Sequence, residues 1–162
     1  HNSFLIHDDI EDSSKTRRHQ PSVHEEYRLR HEAEGRLTDS EKYGIAVALN
    51  TGSFGPLRAQ EILWNINNKM DRKITAQQWM RQVIEITLQG QRRDLTDVSL
   101  DDLTEKQVYE IYHQKTAVYS VIGPFVLGAI LAGASRQDLR FITPFGANLG
   151  IAFQMIDDHL GL

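Results

Sequence analysis

Apolar residues along this chain recur three and four positions apart far more often than in alternation, the period of helices rather than strands. Trp79, Val83 and Ile86, with Ile84 and Leu88 beside them, trace one stripe; Val108, Ile111 and Tyr112 trace another. The pattern predicts helices at 1–13, 39–52, 55–70, 76–94, 105–120, 122–133 and 144–160, and therefore an all-α fold. Start signals accompany it. Thr38 with Glu41, Thr75 with Gln78, and Thr104 with Gln107 have capping-box spacing, in which a hydroxyl serves the first unpaired amides. Thr143 before Pro144 reads as an N-cap followed by a first-turn proline. Residues 17–38 read as irregular or partly helical, and 94–104 as the most polar connection.

Composition narrows the possibilities. The 162 residues are enough for one domain with a real core, and 40% of them are hydrophobic, which is not a disordered composition. A formal charge of −4 argues against a nucleic-acid binder that relies on bulk positive charge. The absence of cysteine excludes a disulfide scaffold and thiolate zinc sites, and fits a reducing, cytoplasmic setting. The longest apolar stretch, 121–134, is interrupted by Pro124 and is too short to span a bilayer, so a buried helix is expected and no transmembrane segment. Both ends, HNSFLIHDDIED and IAFQMIDDHLGL, fall inside helical patterns, which reads as the central part of one domain cut at both ends.

Chemistry concentrates at two acidic places. Asp8, Asp9 and Asp12 form a DDxxD pattern after the apolar run Phe4-Leu5-Ile6, which is expected to be buried. Asp8 and Asp12 lie one helical turn apart and share a face. Carboxylates this close repel unless a cation lies between them, and oxygen ligands suit magnesium, which keeps waters and bridges to phosphates. Arg17 and Arg18 follow, offering planar donors for phosphate oxygens. Asp157 and Asp158 end a second apolar helix, on which Gly146, Gly150 and Gln154 form a stripe of small residues leading to a polar one. The alternatives are a solvated acidic turn at the first place and glycine-mediated helix packing at the second. His7, His19 and His24 match no zinc spacing, and His24 reads as structural or hydrogen-bonding.

These residues resemble a family. HDDIEDSSKTRRHQP is similar to the first aspartate-rich motif of the trans-type polyprenyl diphosphate synthases, and FGANLGIAFQMIDD to the second; GQRRDL at 90–95 and Lys115-Thr116 lie between them in the family's order. The resemblance implies an isoprenoid synthase-type helical bundle and a prenyltransferase. Such an enzyme condenses isopentenyl diphosphate with an allylic diphosphate through Mg2+-assisted ionisation. It implies that Asp8 and Asp12, with Asp9 assisting, bind magnesium from one side and Asp157, with Asp158 nearby, from the other. Arg17 and Lys115 would hold the allylic diphosphate and Arg18 the isopentenyl diphosphate. Thr116 and Gln154 would face the reacting carbons. Gln91 and Asp94 would line the same cavity, Asp94 contacting metal-bound water. A homodimer is implied as well.

The chain departs from the family pattern in places. His19 stands where many relatives have glycine, Gly161 where a third aspartate is frequent, and Gly52-Ser53 where a Gly-Asp pair is common. Residues 28–43, RLRHEAEGRLTDSEKY, intervene before Gly44 as a polar surface insertion. Phe4, four positions before Asp8, is expected to act as the floor for the growing chain, with small Ser3 leaving room beside it. The product would then be short, geranylgeranyl diphosphate first and farnesyl diphosphate second. A class I terpene cyclase and a non-catalytic partner subunit are the competing functions.

Overall fold

The computed structural model describes residues 1–97 and 103–160, and two compact units divide the chain, 1–62 and 63–162. Within the described residues the structure is helical apart from one small hairpin, in agreement with the all-α expectation.

In the first unit, α1 (Asn2–Glu11) closes on Asp12, whose N–H reaches the Asp8 carbonyl at 2.9 Å. The run Phe4-Leu5-Ile6 is only half-buried; Asp9, not an apolar residue, is the buried position of this helix. A hairpin of β1 (Thr16–Arg17) and β2 (Gln20–Pro21) follows, pairing Thr16 with Pro21 and Arg17 with Gln20. Its two loop residues, Arg18 and His19, have φ of 51° and 63°. This is the primed turn whose twist matches a hairpin, normally the place of Asn and Gly. The position of His19 requires a left-handed backbone, which a β-carbon resists and glycine adopts freely.

After the hairpin, α2 (Val23–Ala33) supplies the helical part of a region that reads as irregular or partly helical in the sequence. Its last turn and the connection after it make up most of 28–43. These residues are largely exposed, but His31 is 1% exposed, hydrogen-bonded to Thr38 Oγ1 at 2.8 Å and tilted against the Tyr43 ring. Thr38 is therefore not the cap of the next helix. Asp39 is, its carboxylate accepting the Lys42 N–H at 3.1 Å.

That helix, α3, runs Ser40–Asn65 without the expected break between 52 and 55. Gly44, Ala48 and Gly52 are buried at successive turns. A β-carbon on Gly44 would stand 2.2 Å from the His24 carbonyl oxygen, and one on Gly52 would stand 2.4 Å from His7 Nε2. Close packing along this small-residue stripe outweighs the break signals of Gly52-Ser53 and Pro56. Thr51 and Ser53 send their hydroxyls back to the Val47 and Leu49 carbonyls at 2.8 Å each, a bonding mode that helices accommodate by bending.

The second unit is built on α4 (Met70–Asp97), α5 (Glu105–Tyr112), a π-helical segment (His113–Ile122), α6 (Gly123–Ala132) and α7 (Arg136–Leu160). Residues 98–102, inside the polar connection expected at 94–104, and Gly161 lie outside the described residues. The Thr104–Gln107 capping box is present in both directions. The other two start signals are not starts. Thr75 and Thr143 lie inside their helices and donate to the carbonyls of Asp71 and Leu139, four residues back. α7 instead begins at Ser135, which exchanges hydrogen bonds with Asp138, and it continues through Pro144.

The core gathers on the π segment. Val83, Ala117, Val118, Ile122 and Val126 are buried, with Trp79, Ile86, Ile142 and Ile151 against them, whereas Leu88 is half exposed. Thr116, Ala117 and Val118 are consecutive and all buried. An α-helix presents one stripe to its neighbours; the wider π turn turns three successive side chains inward, to α4 and α7. The Gly123 N–H still reaches back five residues to the Val118 carbonyl. Pro124, with no N–H, ends that ladder, and the Trp79 indole donates to the Gly123 carbonyl at 3.0 Å. The continuous rod Glu105–Ala132 is long and apolar enough to cross a membrane by length and composition alone, but its buried side chains pack on α4 and α7 as those of a core helix do.

Candidate active site

Each unit contributes its own constellation. In the first, the hairpin folds Arg17 back onto α1. Its Nε donates to Asp9 Oδ1 at 2.7 Å and its Nη2 to Asp8 Oδ2 at 3.4 Å. Burial pushes the Asp9 carboxyl up, with Arg17 beside it pulling the other way. Asp9 is thus buried and ion-paired with Arg17, while Asp8 is half-buried and Asp12 exposed. Arg18, at the apex of the turn, is exposed, so the adjacent arginines do different things. His24 accepts or donates to the cap residue Ser22 at 3.2 Å, which suits its hydrogen-bonding reading. Phe4 is half-buried. Ser3 is packed against α3, where a β-carbon on Gly55 would lie 2.4 Å from its own.

In the second unit, Gly90 of α4 and Gly150 of α7 bring both helices against the π segment. A β-carbon would come within 2.3 Å of Lys115 N at the first and 2.4 Å of Ala117 at the second. Lys115 Nζ lies 2.6 Å from Asp94 Oδ2, both largely withdrawn from solvent. Gln91 is half-buried one residue beyond Gly90. Thr116 is 4% exposed and donates its hydroxyl proton to Gln154 Oε1; Gln154 is 9% exposed. The Gln154 amide nitrogen in turn donates to Asp158 Oδ1 at 2.7 Å, and the Tyr112 hydroxyl donates to Asp158 Oδ2. That carboxylate pushes the Tyr112 phenol up to about 12, with burial adding to the shift. Asp157 is half-buried on the next face.

The polyprenyl synthetase family profile matches residues 1–162, the whole chain. The chain belongs to the polyprenyl synthetase family. It is 32% identical over 164 residues to the geranylgeranyl diphosphate synthase of Sulfolobus acidocaldarius, covering all of this chain and 44% of that protein. It is 30% identical over 165 residues to the (2E,6E)-farnesyl diphosphate synthase of Mycobacterium tuberculosis, covering 40% of it. The crystal structure of the geranylgeranyl pyrophosphate synthase of Corynebacterium glutamicum, complexed with isoprenyl diphosphate and magnesium, superposes with a TM-score of 0.92. Its sequence identity is 32%, over 99% of this chain and 45% of that one. This polyprenyl synthetase chain therefore spans somewhat under half the length of the relatives it matches.

Sequence reasoning located the acidic and basic members of both constellations in this synthetase chain but not Tyr112, which it read as part of an apolar stripe. Its signal was available: Tyr112 precedes Thr116 by four residues as Gln154 precedes Asp158 by four, so facing helices can join the two pairs.

Proposed function

We propose that this chain is the central part of a short-chain prenyltransferase, condensing an allylic diphosphate with isopentenyl diphosphate. The observation that carries the reading is in the second unit. A buried hydroxyl–amide pair, Thr116–Gln154, lies beside the Lys115–Asp94 ion pair and the two-aspartate end of α7. Ionising an allylic carbon–oxygen bond needs cations for the departing pyrophosphate and lone-pair oxygens, without a nucleophile, for the carbocation. Lys115 supplies a cation, held in place by Asp94. Thr116 spends its proton on Gln154, so its remaining lone pairs are available to a cation. Arg17 and Arg18 add guanidinium groups to the first unit's share.

Among the described residues, no three His, Cys, Asp or Glu side chains form a ready-made metal cage. The carboxylates come instead in small numbers, Asp8 and Asp12 on one turn and Asp157 on α7, with Asp9 already held by Arg17. Each of these all-oxygen groups fits magnesium, which is bound through one or two carboxylates and completed by water and substrate phosphates. Magnesium, when bound, neutralises the charge that develops on pyrophosphate. The reading includes a homodimer, supported by the exposed apolar side chains of Phe141, Phe145, Leu149 and Phe153 along α7. Light scattering of the intact protein reads this directly, and a monomer at micromolar concentration removes it.

The function is tested by incubating the intact protein with magnesium, dimethylallyl diphosphate and isopentenyl diphosphate, and chromatographing the products. Linear diphosphates of geranylgeranyl or farnesyl length are expected. Cyclised hydrocarbons would make it a terpene cyclase, and no turnover a partner subunit.

A further inference from the structure

Four side chains form a hydrogen-bonded chain between the rod Glu105–Ala132 and α7. Tyr112 ends α5 and Thr116 lies four residues on in the π segment; Gln154 and Asp158 lie four residues apart on α7. Donation converges on Asp158 from both sides. Thr116 donates to the Gln154 carbonyl oxygen, Gln154 donates to one Asp158 oxygen at 2.7 Å, and Tyr112 donates to the other. Only one orientation of the Gln154 amide satisfies this. Its NH2 must point to the carboxylate, because a carboxylate accepts and does not donate. Its oxygen must then point to Thr116. If the amide turned over, the NH2 would face Thr116, the hydroxyl would become an acceptor, and its proton would point toward the reacting carbons. That places a positive dipole end where an allylic cation forms.

The orientation therefore depends on where Asp158 is kept. Asp158 is exposed, at the outer end of a chain whose inner members are buried. An exposed carboxylate is drawn into solvent unless something holds it. We infer that Tyr112 is a positioning residue: by holding Asp158, it fixes the Gln154 amide and keeps the Thr116 lone pairs toward the substrate. Asp158 then belongs to the orienting network rather than to the metal set. This inference rests on the proposed reading of Thr116 and Gln154 as facing the reacting carbons.

Tyr112→Phe tests it in the intact protein, removing one hydroxyl and leaving the ring. The expected loss is in kcat, about 10- to 100-fold as for other residues that orient a catalytic group. KM for both diphosphates and the magnesium dependence should stay unchanged. In a Gln154→Leu background, which has no amide to orient, the same change should have no further effect. Independently of turnover, the NMR signals of the Gln154 side-chain NH2, assigned by their absence in Gln154→Leu, should lose their exchange protection in Tyr112→Phe. Protection as in the wild type overturns the inference whether or not the protein is active. A wild-type kcat in Tyr112→Phe, or a full additional loss in the Gln154→Leu background, overturns it too. A wild-type protein that makes no prenyl transfer overturns the proposed function instead, and the amide signals still decide whether Tyr112 holds the network.

Discussion

Gly150→Ala adds one methyl group at the point where α7 lies on the π segment. The new β-carbon would be 2.4 Å from both Cα and Cβ of Ala117. Carbon atoms rest about 3.5–4.0 Å apart, so the two helices must separate by about 1 Å. No side-chain rotation relieves this, because the obstacle is backbone. Overpacking of this kind costs about 1–3 kcal/mol. Alanine recovers about 1 kcal/mol over glycine inside a helix. With an unyielding obstacle the cost falls at the upper end, leaving a net loss of about 2 kcal/mol. Gly128 on α6 is the control, since a β-carbon there meets nothing within 4 Å. The same substitution there should stabilise by up to about 1 kcal/mol. Thermal unfolding followed by circular dichroism reads both. At about 2–4 °C per kcal/mol for a domain of this size, Gly150→Ala should melt about 4–8 °C lower and Gly128→Ala about 2–4 °C higher. A Gly150→Ala protein that melts at or above the wild type refutes the reasoning.

Other consequences follow from particular residues. His19→Gly removes left-handed strain worth about 1 kcal/mol, less the added freedom of the unfolded chain, and should raise stability in urea by roughly 0.5 kcal/mol; a loss would show that the His19 side chain contributes more than its strain costs. Ser135→Ala removes the cap of α7 and should cost about 1 kcal/mol in the same assay. Hydrogen bonds from Ser135 hold the Asp138 carboxyl below its usual range, so its contribution is present above the ordinary carboxylate pKa and fades as pH falls through the lowered one. Asp138→Asn should therefore flatten the acid limb of the stability profile, and an unchanged limb counts against the cap. Phe4→Ala should lengthen the products seen by chromatography if Phe4 is the floor of the chain-length cavity, and identical lengths remove that role.

How much was legible depended on whether the signal was local. The helices, the Thr104 capping box and the buried Gly146–Gly150–Gln154 stripe follow from spacing alone, and the structure has them. Boundaries failed where a residue has two uses. Thr75, Thr143 and the pair Gly52-Ser53 carry start or stop signals, yet each lies within a helix. Packing along Gly44, Ala48 and Gly52 decides the continuity of α3, and a hydroxyl inside a helix can bond four residues back instead of capping. The π segment was missed because a 3.6-residue template has no place for three consecutive inward residues, although the five-residue step from Ala117 to Ile122 was there to be read. In the candidate site, the identities of the charged residues were legible and their pairings were not. Arg17 with Asp9 and Lys115 with Asp94 are tertiary facts that no linear spacing contains.

The central proposal is that Asp8 and Asp157 each take part in the proposed ionisation of an allylic diphosphate. The direct measurement is turnover of dimethylallyl and isopentenyl diphosphates by Asp8→Ala and, separately, by Asp157→Ala, with melting temperature recorded for each. Charge stabilisation exerted mainly in the transition state predicts a loss in kcat of about 100-fold or more in either variant, with melting within a few degrees of the wild type. Wild-type turnover in either variant would contradict the account.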